Sequence, residues 1–274
     1  MNDAEYFKDP ALSKSGLMYF AKSPAHFKAP RPPLTPQQKA AMDLGRALHC
    51  RVLEPDRFNL RFEILPAGMT YQTKEGKRLR KEAEEAGKTM LKYDDAQDVI
   101  GMADAIRHHP GAGALVKAPG PVEDPVFWKD PKYLFEWKCK PDKVTANCMV
   151  IDIKTTGDAR IEEFQRTAWN LKYHWQAFIY LWGLTMASGT PHKDFVFIVV
   201  ERKPPYGVMV YFTPPHVIHH AACEIDPLRE KYARCLKKDE WPSYPENPEY
   251  LTLPPWAKPP KQAITDTTLF LEGG

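Results

Sequence analysis

The feature that most restricts this chain is a change of hydrophobic period in its middle. From Leu134 to Lys140 the residues alternate, with Phe135, Trp137 and Cys139 on one side and Glu136, Lys138 and Lys140 on the other. A period of two belongs to a β-strand with one buried face. Val122 to Trp128 and Met149 to Lys154 read as strands on either side of it, and Phe195 to Val200 and Val208 to Phe212 as two more. Elsewhere the period is helical. Thr35-Pro36 starts a helix with a cap followed by proline at the first position. Ala41, Leu44, Leu48 and Val52 are its apolar stripe, and Gly45 and His49, four apart, share another face. Ser13 caps a shorter helix near Leu12 to Leu17. Further helices are predicted over Asp94 to His109, stopped by Pro110-Gly111, over Ile161 to about Met186, and over Pro215 to Lys238.

Helices, a run of strands, a helix, strands and a helix predict an α/β fold with a central mixed β-sheet flanked by helices. The 274 residues suit a single domain. It divides into a helical region over 1–120, a core over 121–240 and an arm over 241–274. The arm follows from the prolines, which cluster over Pro242 to Pro260 and, earlier, over Pro24 to Pro36, an expected extended connector. Thr73 to Lys88 is almost wholly charged, which fits a solvated helix or a mobile flap.

Composition narrows the class of chemistry. The net charge of +3 neither demands nor excludes nucleic acid. The five cysteines are scattered and form no CxxC pair, so neither a zinc ribbon nor a disulfide framework is indicated. Reduced thiols, an N-terminus without an apolar run and the absence of a membrane-length apolar segment give the expectation of a cytoplasmic protein without a membrane partner.

The groups that carry chemistry are Pro141-Asp142 and, ten residues after that acid, Asp152-Ile153-Lys154. Asp152 and Lys154 are two apart on a strand, so they point the same way. Asp142 follows the preceding strand, and a short connection brings it beside Asp152. Two carboxylates collect Mg²⁺, and an ammonium beside them stabilises charge developing on phosphorus. That set suits phosphodiester hydrolysis. An Asp-x-Lys pair on a strand is also a common surface ion pair, and both readings stand on these residues alone.

Four further features lie in the matching order. They are Gly45-Arg46-Ala47-Leu48-His49, Glu123 ahead of Phe127-Trp128, Thr155-Thr156 after Lys154, and Gln176-Ala177-Phe178-Ile179-Tyr180. With Asp142 and Asp152-x-Lys154 they resemble the PD-(D/E)xK nuclease superfamily, a restriction-endonuclease-like fold, in its RecB-like branch. Leu44 to Pro55, Lys140 to Lys143, Tyr173 to Gln176, Asp239 to Pro242 and Leu253 to Lys258 are similar to the exonuclease VIII (RecE) family. This resemblance runs from about Leu12 to Lys258.

The resemblance implies a 5′-to-3′ exodeoxyribonuclease acting on ends of linear double-stranded DNA. It implies Mg²⁺, with Mn²⁺ as a substitute, held by His49, Glu123, Asp142, Asp152 and the carbonyl of Ile153. It gives catalytic roles to Lys154, Asp152, Asp142, Glu123, Gln176 and Tyr180. It also implies a homotetrameric ring and a single-strand annealing partner of the RecT type, in a bacterial or phage setting. The rivals are a Cas4-like or helicase-associated nuclease, which often carries four cluster-binding cysteines, and a DNA-end-binding module with a dead site. Ser13 and Ser15 either approach a 5′ phosphate or simply cap their helix. His216, His219 and His220 have zinc-compatible spacing but no accompanying HExxH pattern. Trp241 and Trp256 read as packing anchors of the arm.

Overall fold

The structure is a computed structural model that describes residues 3–254. Residues up to Pro242 form one compact unit; a second begins at Ser243, and its described residues, 243–254, form neither helix nor strand. Trp241 belongs to the first unit, whereas Trp256 and the end of the arm lie outside the described residues.

Six helices and two short strands come first: α1 (Asp3–Lys8), α2 (Lys14–Lys22), α3 (Pro24–Lys28), α4 (Pro36–Leu53), α5 (Phe58–Arg61), β1 (Phe62–Ile64), α6 (Lys74–Glu85) and β2 (Thr89–Leu91). Then follow α7 (Tyr93–His108), α8 (Pro110–Lys117), β3 (Val126–Lys129), β4 (Glu136–Cys139), β5 (Lys143–Val144) and β6 (Val150–Thr156). The unit closes with α9 (Ile161–Asn170), α10 (Tyr173–Ser188), β7 (Phe195–Glu201), β8 (Val208–Phe212) and α11 (Pro215–Lys238).

The main sheet is mixed, in the order β5-β6-β7-β8. β6 and β7 are parallel, and both outer pairs are antiparallel. Parallel neighbours need a crossover, which α9 and α10 supply. The alternation of β6 divides its side chains between two cores. Ile151 and Ile153 pack with Leu48, Val52, Val99 and Met102 of α4 and α7, while Val150 packs with Ala177 and Leu181 of α10. Helices on both faces with a mixed sheet between them is the layered arrangement expected from the sequence. β3 and β4 form a separate antiparallel hairpin, and α10 packs on it.

Several boundaries depart from expectation for identifiable reasons. The long helix expected over Ile161 to Met186 is broken, because Lys172 adopts a left-handed conformation (φ 53°) and starts α10 in a new direction. The proline connector contains α3, since Ser23 accepts from His26 N and Pro24 takes the first helical position. Pro110 stops one helix and opens the next for the same reason. β1 and β2 pair in parallel and were not anticipated, each being three residues long. Thr35 and Gln38 form the reciprocal capping box that fixes the start of α4. The charged run is α6, laced by Arg78–Glu75, Arg78–Glu82 and Arg80–Glu84 pairs within the helix. Trp241 stacks on Phe27 at 5.7 Å, as a packing anchor would.

Gly183 is where α10 crosses the hairpin. A Cβ there would lie 2.5 Å from the Trp128 indole. Gly183→Ala must push Trp128 or α10 aside, and overpacking of this kind costs about 1–3 kcal/mol. The urea midpoint of the variant is expected to fall accordingly; an unchanged midpoint would mean the crossing has slack.

Candidate metal and phosphodiester site

The site is built on an edge that the sheet leaves open. β5 pairs with β6 at only two positions, Lys143 with Ile151 and Val144 with Val150. Two residues further along, the edge-facing N–H and C=O of Ile153 have no strand beside them. Side chains take both. Ile153 N–H donates to Asp142 Oδ2 at 2.7 Å, and His49 Nε2 lies 2.9 Å from the Ile153 carbonyl oxygen. Backbone groups at this depth must be paired, so the two contacts hold Asp142 and His49 in place.

The other ring nitrogen of His49 faces two acids. Nδ1 is 3.3 Å from Asp142 Oδ1 and 3.4 Å from Glu123 Oε1. Glu123 does not lie on a strand, as the sequence reading had it. β3 begins three residues later, and Glu123 sits in a turn at φ 51°, a conformation disfavoured for a residue with a side chain. A hydrogen bond from Glu123 N to the Asp142 carbonyl, 3.0 Å, and a bridge between Val122 and Lys143 fix that turn against β5. Lys140 pairs with Glu123 at 2.8 Å.

Asp152 is one step away and is held differently. Lys154 Nζ lies 2.6 Å from its Oδ2, and Gln176 of α10 donates to its Oδ1. Both oxygens therefore already have cationic or amide neighbours. Tyr180 lies one turn beyond Gln176 and lines the same cavity of about 710 Å³. Ser13 and Ser15 reach its wall too, and Ser13 also caps α2 through Gly16 N.

The electrostatics follow from burial and close charges. Burial disfavours protonated His49, but Asp142 and Glu123 outweigh it and hold the imidazolium well above the usual range. Asp142 is pulled below the usual carboxylate value, because His49 and Lys154 overcome its burial. Asp152 goes the other way. Burial, reinforced by Asp142, raises it to about 6 despite Lys154. Burial also raises the Tyr180 hydroxyl, and Asp152 adds to the effect. Burial and the surrounding charges thus drive the two carboxylates apart in proton affinity.

His49, Glu123 and Asp142 offer ligand atoms that all lie within 4.8 Å of one another, and no other such group of three occurs among the described residues. Two carboxylates and the Nδ1 nitrogen fit a small divalent cation such as Mg²⁺ or Mn²⁺, whereas the Ile153 carbonyl lies at the opposite ring nitrogen and holds the imidazole in place. Of the residues singled out in the sequence, His49, Glu123, Asp142 and Ile153 converge as one set, and Asp152, Lys154 and Gln176 as an adjoining one. His220 instead faces Glu224 at 3.7 Å, and His219 faces Cys223. Sequence reasoning missed Lys14 in the cavity wall, which meets the site only through long-range packing, and gave no site role to Tyr173, which begins the helix that carries Gln176.

An open sheet edge carrying an Asp, an Asp-x-Lys strand and a histidine from a flanking helix define the PD-(D/E)xK class of fold. The chain belongs to the family described as the PDDEXK-like domain of unknown function (DUF3799), which matches residues 13–254. A solved structure with a similar fold is a "Putative exonuclease" from Eubacterium rectale. It is 9% identical, each chain is 87% covered, and the TM-score is 0.61. A second, SSO0001, is 14% identical over 70% of this chain and 86% of that one, but its TM-score of 0.29 carries no argument. No curated protein matches the chain.

Proposed function

We propose that this protein is a Mg²⁺-dependent exodeoxyribonuclease. The observation that carries the reading is the adjacency of two sets. His49, Glu123 and Asp142 can hold a cation, and Asp152 with Lys154 can manage a proton and a developing charge next to it. When bound, the ion would polarise the phosphodiester and acidify a water. His49 would give up its proton on binding it, since a ligand imidazole must be neutral. Gln176 fixes the orientation of Asp152. Lys154 keeps its charge, because Asp152 and Asp142 raise its affinity for the proton against burial. It is thereby available to neutralise charge on the phosphoryl oxygens.

The finer reading rests on the similarity of Leu44 to Pro55 and of Lys140 to Lys143 to the exonuclease VIII family. From it we infer digestion of linear duplex ends from 5′ to 3′, which leaves 3′ single strands for a RecT-like annealing protein. We also infer a homotetrameric ring, acting in the cytoplasm of a bacterium or phage host. Among the described residues no helix is long and apolar enough to cross a membrane.

The test uses one duplex in three forms: 5′-labelled linear, 3′-labelled linear and covalently closed circular. With Mg²⁺ the 5′ label is expected to be released first and the circle to survive. Early release of the 3′ label would reverse the polarity, and cutting of the circle would replace exonuclease by endonuclease.

A further inference from the structure

Lys14 ties α2 to the α9–α10 corner, but its electrostatic surroundings are unfavourable. It is the first residue of α2, at the positive end of the helix dipole, where a cation is disfavoured. It is half-buried, and among the described residues no carboxylate forms an ion pair with it, Asp152 attracting it only from farther off. Its ammonium donates only to the Leu171 carbonyl, 2.5 Å away in the α9–α10 corner. It also faces a like charge. Lys14 Nζ lies 5.6 Å from the centroid of the Tyr173 ring, and Lys154 Nζ lies 4.8 Å from the same centroid. Burial and the neighbouring Lys154 lower its proton affinity to a pKa of about 8, against the weaker attraction of Asp152.

Three unfavourable terms on one side chain are the kind of local conflict that folds retain at functional positions. A single anion would relieve all three. It would supply the missing counter-charge, complement the helix terminus and screen Lys14 from Lys154. The cavity that Lys14 lines is the one containing His49, Asp142 and Lys154. Lys154 rises from the sheet, and Lys14 reaches in from the N-terminal helices that form a different wall.

We infer that Lys14 is a substrate-contact residue that holds a backbone phosphate of the DNA strand lying across the site, a role resting on the nuclease reading above. The contact is electrostatic and independent of base sequence, as phosphate contacts are. It also gives the N-terminal helices a function, which is to close one side of the groove around the strand.

The test is equilibrium binding of a 5′-phosphorylated linear duplex over a salt series, with Ca²⁺ in place of Mg²⁺ to suppress cleavage. Lys14→Met should weaken binding roughly tenfold or more at low salt. It should also reduce the slope of log K against log salt by about one, because one fewer counterion is released. Lys14→Arg should keep the wild-type slope. The melting temperature of Lys14→Met should hold or rise, since a poorly compensated charge has been removed. If Lys14→Met does not fold, Lys14→Gln preserves a donor to Leu171 and must show the same loss of slope. A wild-type slope in either neutral variant overturns the assignment and leaves Lys14 a strut between α2 and the α9–α10 corner. Absence of DNA binding by the wild type would instead overturn the nuclease reading itself.

Discussion

Lys154→Ala is expected to leave the protein folded and to slow metal-dependent cleavage of linear duplex DNA by roughly 10²–10³-fold, the usual effect of losing one preorganised charge-stabilising group. The expectation follows from what surrounds the ammonium. It lies 2.6 Å from Asp152 and is nearly enclosed. Removing it deletes the cation proposed to face the phosphoryl group and changes Asp152 as well. That carboxyl is already raised to about 6 by burial, and without Lys154 it must rise further. A raised carboxyl without its cation partner carries its charge less readily, which limits the cost to stability. The variant should therefore melt close to the wild type while losing turnover. Unchanged turnover would remove Lys154 from the chemistry, and a collapse in melting temperature would make the pair structural.

The largest effect on stability is expected away from the site, at Asp130. Its side chain is completely buried. It accepts from Arg229 Nε at 2.8 Å and Nη2 at 2.9 Å, from Trp137 Nε1 at 3.2 Å, and from the backbone N–H of Lys132 and Tyr133 at 3.0 Å. These bonds tie the β3–β4 hairpin to α11. Trp137 sits on β4, which leads directly into Lys140-Pro141-Asp142, so the anchor also positions the site. Asp130→Ala leaves Nε and Nη2 of Arg229 and the indole N–H without their acceptor, and Arg229 keeps only its more exposed partner Asp226. Breaking such a buried pair costs about 3–5 kcal/mol, which at this chain length is a fall in Tm of roughly 10 °C.

The pH dependence has a definite sign. Burial alone would raise Asp130, but Arg229 and the three other donors overcome it and hold the carboxyl below its usual value. A depressed folded value means that the stabilisation is present above the unfolded value and is lost as pH falls through the folded one. The gap in melting temperature between wild type and Asp130→Ala should thus be widest near neutrality and shrink below about pH 4. A gap independent of pH would mean that lost packing, not charge, is responsible.

What could be read from the sequence divides along the range of the interactions. α4 and α11 were legible from their helical period, with Thr35-Pro36 as a start signal for α4, and β7 and β8 as apolar runs of strand length. The break between α9 and α10 was not, because it rests on one left-handed lysine with no glycine or proline to mark it. β1 and β2 exist through pairing across the intervening α6, which three-residue strands cannot announce locally. In the site, the order of His49, Glu123, Asp142, Asp152, Lys154 and Gln176 was visible as a motif set. The division of labour within it was not. That Asp142 takes the Ile153 N–H, that His49 bridges the Ile153 carbonyl and two acids, and that Gln176 engages Asp152 all depend on how far β5 extends along β6. Lys14 was invisible as a candidate because it meets its partner across 157 residues of chain.

The most direct measurement of the central claim is the release of acid-soluble nucleotide from linear duplex DNA by the wild type and by Asp142→Asn, each with Mg²⁺ and with a chelator. Asp142 joins the two halves of the site, since one oxygen faces His49 and the other receives the Ile153 N–H. Nucleotide should be released only by the wild type with Mg²⁺, and calorimetry should find Mg²⁺ bound by the wild type and not by Asp142→Asn. Full release in the chelator, or equal release by Asp142→Asn with Mg²⁺, would contradict a metal-dependent nuclease built on these residues.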